Sequence, residues 1–71
     1  MADQIHAALT ILRRRQVEAR TGLRRSTIYA RIAEGSFPAQ VALGGGKAVG
    51  WLAHEIDAWI SARVAESRGQ K

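Results

Sequence analysis

Arg24, Arg25, Ser26 and Thr27 stand side by side, just after a Gly22-Leu23 break and just before isoleucines four apart at Ile28 and Ile32. Two guanidinium forks and two hydroxyls in succession make a dense set of hydrogen-bond donors, with no acidic group beside them to accept. Such donors suit phosphate oxygens and the acceptor edges of bases. The surrounding charge agrees. From Arg13 to Arg31 there are seven arginines against the single acid Glu18, a balance of +6. The whole 71-residue chain carries a formal +5, so the remainder is slightly acidic. A basic field confined to one segment reads as a contact surface for a polyanion, where an evenly scattered +5 would read as a solvated face.

Other chemistries find little support. The two histidines, His6 and His54, lie 48 positions apart without a convergent carboxylate pattern, and neither suggests a metal ligand. There is no cysteine, which removes a thiolate nucleophile, a disulfide framework and a thiolate metal site. Ser26 has no sequence-evident base. "GGGK" at 44–47 is not a nucleotide-binding loop: that motif needs Lys followed by Ser or Thr opening a helix, and Lys47 is followed by Ala48 and a strand-like run. The expectation is a protein without catalytic residues, metal or cofactor. "MADQIHAALTIL" lacks the basic start and long apolar run of a signal peptide, and no segment approaches the roughly 20 apolar residues of a membrane span, which predicts a cytoplasmic, nucleoid-associated protein.

The donors must be positioned by a small fold. Residues 1–10 carry Ile5 and Leu9 at helical spacing with little else, and read as a frayed turn or a mobile arm. Ile11 and Leu12 begin the core. "RRQVEART" at 14–21 predicts a short helix with Val17 inward, closed by Gly22, although neither Arg13 nor Arg14 can cap its start. A second helix is expected from Arg25 to Glu34, stopped by Gly35. On its wheel Ile28 and Ile32 share one side, Ser26, Ala30 and Ala33 lie opposite, and Thr27 and Tyr29 take the flanks. "QVAL" and "AVGW" alternate across the glycine cluster and predict a β-hairpin, with Val41 and Leu43 on one face of the first strand and Val49 and Trp51 on one face of the second; strands so short must rest their apolar face on the helices. Ile56, Trp59, Ile60 and Val64 form one stripe on a helix over 53–66, and residues 67–71 read as a disordered tail. The fold class is therefore mainly α with a small β-hairpin: a helix-turn-helix, a two-stranded wing and a C-terminal helix, in one domain over 11–66.

A helix of this kind, roughly 10–12 Å wide, fits the DNA major groove with its N-terminal residues toward the bases. On that geometry Arg24, Arg25, Ser26 and Thr27 lie where the second helix enters. Arg25 can grip a guanine; Ser26, Thr27 and the free first-turn N–H groups can hold a phosphate. Tyr29 can donate to a phosphate or pack sideways into the core. Ala30 offers a methyl. Arg31 lies nearer the core edge, where its stem can cover apolar surface. Arg13, Arg14 and Arg15 read as backbone anchors. Gly44, Gly45 and Gly46 either let the hairpin tip approach a phosphate or the minor groove, with Lys47 adding charge, or merely make a flexible turn. Trp51 and Trp59 read as core.

"TGLRRSTIYARIAEGSFP" followed by "VGWLAHEIDAWI" resembles the AlpA family of small prophage-associated regulators, relatives of the MerR-type and excisionase-type winged helix-turn-helix proteins. The resemblance runs from about Ile11 to Val64. It implies sequence-specific double-stranded DNA binding, with transcription control or assistance to a phage-type integrase, a recognition helix on Arg25 to Glu34 and a wing on Leu43 to Val49. The chain departs from the family's pattern at Arg24, in place of a serine cap, at Ala30-Arg31, in place of a basic and then an apolar residue, and at Glu18, in place of an apolar one. No ligand-sensing domain is expected.

Three functions follow as expectations. The first is a transcriptional regulator. The second is an excisionase-like factor that binds and bends attachment-site DNA. The third, from a different class, is an adaptor whose arginines meet an acidic protein partner. A single module buries only about 600–1,000 Å² of protein surface on DNA, so self-association or cooperative binding is expected in the first two.

Overall fold

The computed structural model describes residues 9–69. Its order is β1 (Ile11–Leu12), α1 (Arg14–Thr21), α2 (Arg25–Glu34), β2 (Val41–Ala42), β3 (Val49–Leu52) and α3 (Ala53–Gly69). This is a helix-turn-helix followed by a hairpin and a closing helix, the arrangement of a winged helix-turn-helix. The expected arm over residues 1–10 and the end of the expected tail fall mainly outside the described residues.

α1 starts without a conventional cap. An arginine side chain has no acceptor to offer the helix N–H groups. Gln16 supplies the contact from inside the helix instead: its Oε1 accepts the Arg13 backbone N–H at 2.8 Å. Arg14 and Glu18 form an ion pair one turn apart, and Val17 is fully buried. Gly22 closes the helix in the left-handed region, at φ 76°, and donates to the Glu18 carbonyl at 2.8 Å. Only glycine adopts this φ without strain. Thr21 braces the turn from both sides. Its hydroxyl donates to the Val17 carbonyl and accepts from the Leu23 N–H.

α2 buries Ile28 completely and Ile32 partly, while Ser26, Ala30 and Ala33 are exposed, as the wheel requires. It ends in a Schellman-type cap, with the Ser36 N–H reaching the Arg31 carbonyl and the Gly35 N–H the Ile32 carbonyl. α3 follows β3 without a linker and runs to Gly69, three residues past the end its apolar stripe suggested. Ser67 and Arg68 extend it as polar helical residues, with Arg68 in the last turn, where a cation meets the negative end of the helix dipole. Val64 is 42% exposed, so the stripe outlasts the core it faces.

The sheet differs from the expected two-stranded wing. β1 pairs with the other edge of β3, giving an antiparallel sheet of order β1-β3-β2. Ile11 opposes Leu52 and Leu12 opposes Trp51; Val41 opposes Gly50 and Ala42 opposes Val49. Side chains directly opposite in a ladder share a face. Leu12, Val49 and Trp51 therefore point toward the helices. Val41 lies on the other face, with Ile11, Leu52 and Leu43, around Gly50. The expectation that Val41 and Leu43 rest on the helices is corrected by this register, and Leu43 is 40% exposed. The strands are short enough that both faces can be apolar without alternation revealing which one is inward.

The core comprises Leu12, Val17, Ile28, Phe37, Trp51, Ala53 and Ile56, with Leu23, Tyr29, Ile32, Val49, Trp59 and Ile60 packed against it. Trp51 is at 0% exposure, and its indole N–H donates to the Pro38 carbonyl at 3.0 Å. Trp59 is half-buried edge-on to Phe37 and donates to the Ser36 carbonyl at 2.8 Å. Both indoles thus fasten the segment after α2 to the sheet and to α3. Arg20 reaches Asp57 at 2.8 Å and ties α1 to α3. Exposed pairs of this kind contribute about 0–1 kcal/mol, so apolar packing is what holds the three helices.

Candidate nucleic-acid interface

The described residues contain no group of three or more His, Asp or Glu able to hold a metal ion, and no helix long and apolar enough to cross a membrane. What they do contain is a gathering of cations. Arg13, Arg14, Arg15, Arg25 and Lys47, with Tyr29 and Val49, line one cleft of about 440 Å³ between the start of α1, the start of α2 and the hairpin tip. These residues come from three separate stretches of chain. Among them only Arg14 is ion-paired within the described residues, to Glu18. Arg13 is tethered in another way: its Nε donates to the Val49 carbonyl at 3.0 Å.

The hairpin tip takes a turn that its composition permits. Leu43 donates to the Ala48 carbonyl at 2.9 Å, which closes the loop. Gly44, Gly45 and Gly46 lie at φ 84°, 65° and 73°. Three successive residues take up the left-handed region at little cost only if all are glycine. The glycines are thus required by the turn itself, and they leave the tip with bare backbone and one exposed cation, Lys47.

α2 presents two flanks. Toward the hairpin stand Arg25 and Tyr29. The guanidinium of Arg25 lies over the Tyr29 ring, 5.9 Å from its centroid, and that ring meets Trp51 in a T-shaped contact with centroids 6.2 Å apart. The Tyr29 ring thus packs sideways toward the core while still lining the cationic cleft. On the other flank Ser26, Thr27, Ala30, Arg31 and Glu34 line a shallow depression of about 510 Å³. Arg31 is half-buried with its guanidinium 5.8 Å from the Trp59 centroid, so its side chain folds toward α3. Arg63 approaches the same indole at 5.4 Å, a contact with no local signal in the sequence. Arg24 is exposed, lines neither hollow, and occupies the N-cap position without a side-chain cap. The first intrahelical bond runs from the Ile28 N–H to the Arg24 carbonyl, so the N–H groups of residues 25–27 precede the ladder.

A larger hollow of about 850 Å³ lies between residues 35–41 and α3. It shares no lining residue with the cationic cleft, and its charged lining is one acid, Glu55, and one cation, Arg63. The hollow is the larger of the two, but it is in the cleft that cations converge.

Two comparisons bear on what this arrangement belongs to. The chain is 57% identical over 44 residues to "Uncharacterized protein ORF88" of Enterobacteria phage P4, an alignment that takes in 62% of this chain. It spans 49% of that relative's length. The family model described as "Prophage CP4-57 regulatory protein (AlpA)" matches residues 10–64, from the residue before β1 into the last turns of α3. With the helix-turn-helix, the hairpin and most of the closing helix inside that match, the chain belongs to the AlpA family of prophage regulatory proteins.

Proposed function

We propose that this protein is a sequence-specific double-stranded DNA-binding regulator of transcription. In this reading α2 lies in the major groove and the hairpin tip rests on the backbone or in the minor groove. The observation that carries it is the convergence of Arg13, Arg14, Arg15, Arg25 and Lys47 on one cleft beside an α2 face of small side chains. Ser26, Ala30 and Ala33 keep that face low, which suits close approach to base edges, and cations stand at its borders.

The division of labour follows from reach and donor geometry. Arg25 is forked and sits at the leading end of α2, so it is assigned a guanine edge, a contact that discriminates by about 1–3 kcal/mol. Ser26, Thr27 and the first-turn N–H groups are assigned a phosphate. Ala30 is assigned a thymine methyl. Arg14, Arg15, Arg24, Arg31 and Lys47, with the backbone of Gly45 and Gly46, are assigned sequence-independent backbone contacts. Binding through one small module favours self-association or cooperative loading on DNA. On this reading the protein works in the cytoplasm, on the nucleoid.

Selection of bound fragments from genomic DNA tests the proposal. Recovery of a discrete site at a promoter is the expected result. Repeated, helically phased sites at an attachment region would replace transcription control with an excisionase-like role beside an integrase. Absence of any duplex binding at low salt would leave the arginines to an acidic protein partner and overturn the reading.

A further inference from the structure

Arg25 is exposed, and none of the three ion pairs among the described residues uses it. A long cationic side chain in that situation samples many rotamers, and fixing one on a ligand costs entropy. Yet Arg25 is not without a support. Tyr29 lies one turn along the same side of α2, the spacing at which helical side chains meet. Its ring lies under the Arg25 guanidinium at 5.9 Å and abuts Trp51 edge-on at 6.2 Å. Trp51 is fully buried and held by its bond to the Pro38 carbonyl. A continuous stack thus runs from the core outward: Pro38 carbonyl, indole, phenol ring, guanidinium. Each member touches the next.

We infer that Tyr29 is a positioning residue: its ring is a shelf that pre-orders Arg25, and it sets sequence preference through Arg25 without touching a base. This rests on the assignment of α2 to the major groove. It differs from the phosphate-donor role open to a tyrosine there, because the ring carries the effect and the hydroxyl does not.

The experiment uses the full chain, a duplex carrying a site selected from random sequence, and a scrambled duplex of equal length. Affinities for both are measured across salt for wild type, Tyr29→Phe, Tyr29→Leu, Arg25→Ala and the Arg25→Ala/Tyr29→Leu double variant. Tyr29→Phe keeps the wild-type ratio of specific to scrambled binding. Tyr29→Leu lowers that ratio about fivefold or more, the low end of what one base contact supplies. It leaves scrambled binding and the salt slope unchanged, and it has no further effect once Arg25 is alanine. A general structural defect would instead weaken both duplexes together. Loss of specificity in Tyr29→Phe equal to that in Tyr29→Leu, or an undiminished effect of Tyr29→Leu without Arg25, overturns the shelf while leaving α2 in the groove. A wild-type chain that does not discriminate between the duplexes overturns the groove assignment and the shelf with it. If Tyr29→Leu does not fold, the free wild-type protein decides by NMR relaxation: the Arg25 Nε–H is more ordered than that of exposed Arg24 if the shelf holds, and equally mobile if it does not.

Discussion

The Nε of Arg13 donates to the backbone carbonyl of Val49 at 3.0 Å, so the residue that opens α1 also grips the strand that carries the hairpin tip. This bond adds a side-chain tie between the hairpin and the start of α1, across a gap of 36 residues in sequence. Arg13→Met keeps the apolar stem and removes the donor. The expected loss is about 0.5–1.5 kcal/mol in urea unfolding. Amide exchange at Leu43, which closes the loop onto Ala48, should quicken more than exchange in α3. Uniform exchange across both regions would show that the bond does not orient the hairpin.

Gly50 is where two strands come too close for a side chain. A Cβ built there would lie 2.4 Å from Ile11 Cγ2 and 3.0 Å from the Leu12 carbonyl oxygen. The first obstacle is a stiff branched methyl and the second is backbone, so neither yields easily. Gly50→Ala is expected to destabilise by about 1–3 kcal/mol, as overpacking does. Ile11→Ala in the same chain should recover part of that loss, giving a non-additive pair in thermal or urea melts. Strict additivity would mean that the clash is relieved by the sheet moving as a body.

The tip glycines face open space, so their replacement tests backbone conformation alone. Gly45→Ala forces an alanine to φ near 65° and should cost about 1–2 kcal/mol through backbone strain, since the new methyl meets nothing. A fully stable Gly45→Ala chain would indicate that the loop has a second, right-handed conformation of equal energy.

Lys47 is exposed and enters none of the ion pairs among the described residues. Lys47→Ala should leave the melting temperature unchanged. If Lys47 meets a phosphate, the slope of log K against log salt falls by about one unit for every duplex alike. An unchanged slope removes the tip cation from the backbone contacts.

The tryptophans separate packing from hydrogen bonding. Trp59→Phe keeps a ring beside Phe37 but leaves the Ser36 carbonyl without its donor, for an expected cost of about 1–2 kcal/mol. Trp51→Ala opens a cavity at the centre of the core and should cost about 3–5 kcal/mol. A domain of this size has little margin beyond that, so its circular dichroism at 25 °C should be that of an unfolded chain.

How far the sequence could be read depended on how many residues each feature used. α2 spans ten residues with a clean 3.6 period, and its bounds, its buried Ile28 and its small outer face were all legible. α1 was legible through Gly22 and Val17, but the Gln16 contact that replaces a cap was hidden, because it substitutes for a signal that is missing. β1 has two residues, too few to show alternation, and only pairing to β3 makes it a strand. The same brevity concealed which face of the hairpin turns inward. Within the candidate interface, the charge run from Arg13 to Arg31 was visible, and so was Lys47. The stacking of Arg25 on Tyr29 is local and could have been suspected from their spacing. The approach of Arg31 and Arg63 to one indole joins residues 32 apart, and no local pattern encodes it.

α2 keeps its packing residues apart from its exposed ones. Ile28 and Ile32 hold it to the core, while Ser26, Ala30 and Ala33 on the opposite side hold nothing in place. If α2 reads DNA as proposed, helix-compatible substitutions at positions 26, 30 and 33 can retune the target while the packing of Ile28 and Ile32 stays as it is. Diversification of such regulators among mobile elements needs no new scaffold, only new lettering on a surface that the fold leaves blank.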